Sequence, residues 1–301
     1  MIGRPFSLVK ASPMAQPPIA PYQRDYWSGD AGQRWAQWAS RTDHALSDVT
    51  KLLLARIKAQ PGEVILDVGC GAGELSLLLA DQLGVEGRVY GVDISPPLLA
   101  EARAREKQAV RAPHWIEADA QNAEWYRQHD AIVSRFGVMF FEDPPAAFAN
   151  LAKALKAGGR MVFACWQGPE VNPFFSELGA LARRIKTDLP PADPQAPGPM
   201  SLADPARIRS LLESAGFADI EISDHPMQHH ASHGPDALNQ AIEYFMEIGP
   251  MAMVATQGTP TQQAEARVAL REYLAGHQQG ESVSMPGRIW CVRAVKSAEA
   301  G

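Results

Sequence analysis

Between Trp35 and Ile57, the apolar positions Trp35, Trp38, Ala39, Leu46, Val49, Leu53 and Ile57 recur mostly at three- and four-residue spacings, which predicts one or two helices ahead of any strand. The pattern changes after Pro61-Gly62. Val64 to Val68 is a short, mostly β-branched apolar run that ends in Gly69-Cys70-Gly71-Ala72-Gly73, as a buried strand entering a glycine turn would. Leu75 to Leu83 reads as a helix stopped by Gly84 and Gly87, and Arg88 to Asp93 as a second strand. Ser95 then caps a helix that opens on Pro96-Pro97 and runs to about Gln108, and a third strand spans His114 to Ala118. Ala131 to Ser134 is the fourth strand, Asp143 caps a helix from Pro144 to Lys156, and Gly158-Gly159 leads into a fifth strand, Arg160 to Trp166.

Strands that alternate with helices need right-handed crossovers, so the expected core is a doubly wound α/β sheet, mainly parallel and covered on both faces. The proline-rich stretch from Pro169 to Pro199 breaks that alternation and predicts an insertion at the active site. A helix at Pro205 to Ala215, a strand near Ile220 to Ser223 and a last strand at Ile289 to Val295 resume it. About 60 residues separate those last two strands, with helical patterns at Asp236 to Ile248 and Thr261 to His277, and this excursion predicts a lid. The segments 167–203 and 229–287 are thus expected to form a helical cover over the site. Residues 1–21, with five prolines and no apolar h-region, read as a flexible arm and not a secretory signal; Met14 offers an alternative start within it.

The 301 residues carry 28 Lys and Arg against 34 Asp and Glu, a formal charge of -6 that gives no general attraction to nucleic acid or anionic lipid. No apolar run approaches the roughly 18 residues of a membrane helix. The three cysteines, Cys70, Cys165 and Cys291, are odd in number and far apart, which argues against a disulfide framework and for a reducing compartment, the cytoplasm. A small-molecule ligand is the expected partner; a homodimer is left open.

The glycine turn carries the first chemistry. Gly69, Gly71 and Gly73 let backbone pass close under a ligand and present amides at a helix start. A dinucleotide fingerprint would need glycine where Glu74 stands, and Asp67 lies two residues before the first glycine, so a pyrophosphate would meet two carboxylates. Those acids suit a nucleoside that bears an ammonium group. Asp93, 26 residues after Asp67, is placed to accept from ribose hydroxyls, and Asp119 to accept from an adenine amino group. Three acids therefore end three successive strands on one sheet edge.

On these residues the chain resembles the class I S-adenosylmethionine-dependent methyltransferases from about Tyr22 onward. The glycine loop is similar to the family's first motif, Gly91-Val92-Asp93-Ile94-Ser95 to its ribose-binding strand, and Ala118-Asp119-Ala120 to its adenine-contacting segment. Ser134-Arg135-Phe136-Gly137-Val138-Met139-Phe140-Phe141, followed by Asp143-Pro144 and Leu155 to Arg160, resembles a type-11 branch that includes ubiquinone- and menaquinone-type and natural-product enzymes, although Ala157 stands where that branch usually has proline. The resemblance implies a seven-stranded, Rossmann-like sheet with the last strand antiparallel, residues 22–301 as one methyltransferase domain, and S-adenosylmethionine bound by Asp67, Gly69, Cys70, Gly71, Asp93, Ile94, Asp119, Ala120 and Ser134.

The acceptor is less defined. Asp143-Pro144-Pro145 lacks the aromatic residue of a base-methylating motif, since Ala146 follows, and a helix cap explains it better. No basic stretch interleaved with aromatics suggests a nucleic-acid groove. Trp27, Phe136, Met139 and Phe140 are expected to wall an apolar acceptor pocket, while Trp35 and Trp38 are expected to pack a helix on the sheet. His229 and His230 are candidates for a general base, although His225 to His233 reads as a solvated loop. No metal site is expected there: adjacent histidines diverge in either helix or strand, and no acid or cysteine completes a set. Cys70 reads as a packing residue. The leading expectation is methyl transfer to a small apolar or aromatic acceptor, with oxygen preferred over nitrogen or carbon. A binding module without turnover and an NAD-dependent oxidoreductase are the alternatives.

Overall fold

The structure is a computed structural model that describes residues 21–297 except 108, 110, 127 and 190–192. The expected arm and the start at Met14 lie outside the described residues, apart from Pro21, which opens the first helix.

Four short helices precede the sheet where the periodicity predicted one or two: α1 (Pro21–Ser28), α2 (Asp30–Gln37), α3 (Ala39–Ala45) and α4 (Ser47–Ile57). The breaks fall at Gly29, Trp38 and Leu46, whose backbones leave the helical region, so the apolar stripe turns corners and follows a concave surface. The alternating core follows as β1 (Val64–Val68), α5 (Glu74–Leu83), β2 (Arg88–Asp93), α6 (Pro96–Glu106), β3 (His114–Glu117), β4 (His129–Arg135), α7 (Pro144–Ala154) and β5 (Leu155–Trp166). Two of its helices start where their caps require: Ser95 accepts from the amide of Leu98, and Asp143 from that of Ala146, each ahead of a proline. The rest comprises α8 (Pro173–Ile185), α9 (Pro205–Ser214), β6 (Phe217–His233), α10 (Ala237–Glu247), α11 (Ala252–Gln257), α12 (Pro260–Ala275), the two-residue β7 (Gln278–Gln279) and β8 (Ser282–Lys296).

The sheet order is β3-β2-β1-β4-β5-β8-β6, with β7 paired to β8. Strands β1 to β5 are parallel and β8 runs antiparallel to both β5 and β6. Strand order reverses between β1 and β4, and such a switch point opens a crevice at the carboxyl edge. The two last strands correct the sequence reading: β6 is 17 residues long and β8 15, so His225 to His233 is strand and not loop. Gln228 to His233 pair with Pro286 to Ser282 inside what reads as insertion. Pro226 is tolerated because β6 is an edge strand, where a missing amide can face away from the ladder.

Among the described residues two large hydrophobic cores result, beside a small cluster of Ala39, Ala72 and Leu98. One fills the space between the sheet and its helices; the other joins Phe174, Leu178 and Ala182 of α8 to Tyr244, Phe245 and Leu270 of α10 and α12 and to Val283 and Met285 of β8. Asn172 ties the second to the first. It is 1% exposed, its amide donates to the carbonyls of Gln167, Gly168 and Arg288 at 3.1 Å each, and its carbonyl oxygen accepts from the amide of Arg288 at 2.8 Å. The N-terminal helices are held by charge: Asp43 of α3 pairs with Arg105 of α6 at 2.6 Å and with Arg135, the last residue of β4, at 2.7 Å. Arg135 also pairs with Glu74 at the start of α5, whose carboxylate accepts from Thr50 of α4 at 3.0 Å.

Asn172→Ala removes four bonds and strands buried carbonyls, so it should lower unfolding free energy in urea by about 3 kcal/mol; a loss under about 0.5 kcal/mol would deny it the anchoring role. Asp43→Ala leaves two mostly buried guanidinium groups short of a partner and should lower stability by about 3 kcal/mol. Thermal unfolding unchanged from the parent would show that the pairs contribute nothing.

Candidate functional site

The crevice at the switch point widens into a cavity of about 270 Å3 between the two cores. Its floor is the glycine loop. The carbonyl of Val68 and the amides of Gly137 and Val138 all meet the hydroxyl of Ser134, at 2.7, 3.1 and 3.3 Å, which fastens the turn after β4 against the end of β1. Gly69 and Gly137 make that approach feasible, since a Cβ on Gly69 would stand 2.6 Å from the Cα of Gly137. Gly71 differs: its φ is +55° and an added Cβ would meet nothing within 4 Å, so this glycine borders open cavity and leaves room that a ligand can fill.

Asp67, Gly69, Cys70, Gly71, Asp93, Ile94, Asp119 and Ala120 all line the cavity. Ser134 does not, which corrects its expected place: it is fully buried behind the floor and acts on the loop's shape. Asp67 is 1% exposed, and burial pushes its carboxyl up to about 6 against the opposing hydrogen bond from Ser76 at 2.6 Å. Asp93 accepts from the amides of Gly71 and Ser95 at 2.7 and 2.8 Å. Burial raises its carboxyl despite those bonds, and lone pairs remain for a ligand's hydroxyls. Asp119 accepts from the amide of Gln121 at 2.9 Å and the side-chain amide of Asn122 at 2.6 Å, so it shapes its own turn while facing the cavity. Burial and the neighbouring acids Asp93 and Asp67 raise the Cys70 thiol well above its ordinary range, which keeps it protonated and unreactive. Glu74 occupies the helix start where a pyrophosphate would sit, locked to Arg135.

The other wall is aromatic. Trp27, Phe136, Met139 and Phe140 line the cavity. Phe136 holds a left-handed backbone, φ 66°, and stacks on Trp166 with centroids 4.6 Å apart and planes at 9°. Trp27 meets Phe140 edge-on at 5.2 Å, and the carbonyl of Trp27 accepts from the Ser95 hydroxyl at 2.7 Å, which holds α1 over the cavity. Trp35 reaches the cavity too, whereas Trp38 packs against Tyr244 in the second core.

The two candidate bases part company, because successive strand residues point to opposite faces. His229 lines the cavity and is 4% exposed. His230 does not line it; it lies near Asp48 at 3.4 Å and Ser284 at 3.2 Å, so its candidacy as a base is withdrawn. Sequence reasoning missed Gln23, Thr42, Asp43, Arg135, Trp166, Phe174, Phe175 and Tyr244, which also line the cavity. Phe174, Phe175 and Tyr244 reach it only through the pairing of β6 with β8 and the packing of the helices on it, contacts that local pattern does not encode.

Residues 65–159 match the sequence model of the methyltransferase domain family. Over 119 residues, 38% of this chain and 52% of its relative, the chain is 34% identical to the 2-phytyl-1,4-naphtoquinone methyltransferase of Trichormus variabilis. Over 104 residues, 34% of this chain and 47% of the relative, it is 34% identical to an aklanonic acid methyltransferase of a Streptomyces species. The chain thus spans about half the length of the curated relatives it matches. Among solved structures it resembles phosphoethanolamine N-methyltransferase 2 of Haemonchus contortus in complex with S-adenosyl-L-methionine, with a TM-score of 0.56, 18% identity, and coverage of 91% of this chain and 60% of that one. The matched segment is a methyltransferase domain by sequence, and the sheet order and glycine floor around it are similar to those of the class I, S-adenosylmethionine-dependent kind.

Proposed function

We propose that this chain transfers a methyl group from S-adenosylmethionine to a small, largely apolar acceptor. One observation carries the reading: the same cavity has a floor of bare backbone flanked by the carboxylates of Asp67 and Asp93 and is also lined by aromatic rings. A nucleoside with a cationic amino-acid tail matches the first surface and a flat apolar molecule the second. When bound, the cosubstrate supplies a methyl carbon on a positive sulfur, and the carbon–sulfur bond breaks with its electron pair retained by sulfur. Asp93 would hold the ribose, Ile94 and Ala120 would flank the base near Asp119, and ionised Asp67 would face the ammonium. Trp27, Phe140 and the helices α8 and α10 to α12, which we assign as the acceptor's cover, would exclude water and keep nucleophile, methyl carbon and sulfur in line. Oxygen is the preferred nucleophile. A phenol needs alignment and loss of one proton to solvent, and the transfer calls on no redox partner.

Calorimetry with S-adenosylhomocysteine tests the reading. Asp93→Ala should weaken binding by about 1.5 to 3 kcal/mol through lost ribose hydrogen bonds; unchanged affinity would place the ribose elsewhere. The pH dependence has a definite sign. Protonated Asp67 cannot attract a cation, so affinity should rise as pH climbs through about 6, where burial sets that carboxyl. The rise should flatten in Asp67→Asn, and a profile shared by both proteins would remove Asp67 from the ammonium's surroundings.

A further inference from the structure

Phe174 stands where the cavity meets the second hydrophobic core. Its ring lines the cavity and is 7% exposed, while Phe245 and Leu178 of the same core are fully buried and do not line it. Close neighbours hold the ring. It stacks on His229 with centroids 4.8 Å apart and planes at 20°, and meets Phe175 at 4.5 Å and Phe245 at 5.4 Å. Asn172, two residues earlier, fixes the start of α8 through its bonds to Gln167, Gly168 and Arg288, and with it the root of this side chain.

Gly249 meets the tip of the ring. It lies two residues beyond α10, also lines the cavity, and has φ +90°, a conformation that side chains rarely adopt. A Cβ built there would stand 2.8 Å from Cζ of Phe174 and 3.1 Å from its Cε2, so the ring ends against bare backbone. Any side chain at 249 would have to displace that tip. With His229, Phe175 and Phe245 already packed around the ring, the open volume that could receive it is the cavity itself.

We propose that Phe174, seated against Gly249, is a specificity-determining residue that limits acceptor length, so that the accepted class is a compact, ring-sized apolar molecule with no alkyl chain directed toward α8 and α10. This rests on the methyl-transfer reading and names the residue that sets the substrate's size in the same cavity. The limit is steric. Extra methylenes forced against a packed wall cost more than their burial returns, whereas with the ring removed the same methylenes would enter an apolar space beside Phe245 and gain from burial.

The test uses the full chain saturated with S-adenosylhomocysteine and titrated calorimetrically with 4-methylphenol and 4-butylphenol; the ratio of the two affinities is the readout. The parent should favour the methyl compound. Phe174→Ala should shift the ratio toward the butyl compound by about tenfold or more, since each buried methylene is worth about fourfold. Phe174→Leu, which stays apolar but lacks the ring's tip, should shift it the same way by a smaller factor, and it decides alone if the alanine variant fails to fold. Gly249→Ala acts in the opposite sense: it should drive the ring into the cavity and weaken 4-methylphenol itself by about fivefold or more. A loss of general fold quality would not move the ratio in these opposed directions. An unchanged ratio in the folded Phe174 variants, a parent that already prefers the butyl compound, a Gly249→Ala protein that binds 4-methylphenol as the parent does, or a set of proteins none of which binds either probe overturns the proposal. Binding of S-adenosylhomocysteine in those cases leaves the methyl-transfer reading standing, whereas its absence removes both.

Discussion

A guanidinium withdrawn from water has to be neutralised where it lies, and Arg135 imposes that condition on the whole upper face of the molecule. It ends β4 at the switch point, borders the cavity, and meets Asp43 from the N-terminal helices and Glu74 from the start of α5. Asp43 in turn engages Arg105 of α6. Four elements that local sequence would leave independent are thereby fixed around one charge, and removal of any partner exposes the remainder to an unfavourable environment. The glycine loop, which runs from β1 into α5, is held from both sides: by Glu74 through Arg135 and by Ser134 through Val68.

That arrangement separates two kinds of surface within one cavity. Carboxylates and backbone amides face it from the ends of β1 and β2; aromatic rings face it from α1, from the turn after β4, from the end of β5, from β6 and from the helices packed on β6. A dinucleotide enzyme would want the first surface stripped of acids, yet here Asp67 and Glu74 flank the helix start at which a pyrophosphate would lie. The second surface is largely dry, and a polar group placed on it gains directional strength from the low local dielectric. On such a surface few polar groups are available to orient a ligand.

Much of this was legible along the chain because it is local. Val64 to Asp93 encodes strand, turn, helix and strand through apolar runs, glycines and caps that need no distant partner, and the acids that end β1 and β2 follow from the same pattern. Phe136, Met139 and Phe140 were expected at the cavity from their position just beyond the fourth strand, and Trp27 from a segment ahead of the first strand that resembles one folding over the ligand; all four line the cavity. What escaped is non-local. β6 carries Pro226 and a polar, histidine-rich run that no propensity marks as strand; it becomes one by pairing along its length with β8. His229 and His230 look equivalent until the strand's alternation sends one inward and the other to Asp48. Asn172 and Ser134 are ordinary polar residues in sequence, and their importance comes from carbonyls and amides that only the fold brings within reach.

The account is tested most directly by a crystal structure of the chain with S-adenosylhomocysteine. It predicts the ribose hydroxyls within hydrogen-bond distance of Asp93, the amino-acid ammonium toward Asp67, and the sulfur facing the aromatic wall of Trp166 and Phe136. A nucleoside bound away from the glycine floor, or turned so that its sulfur points from those rings, would contradict it.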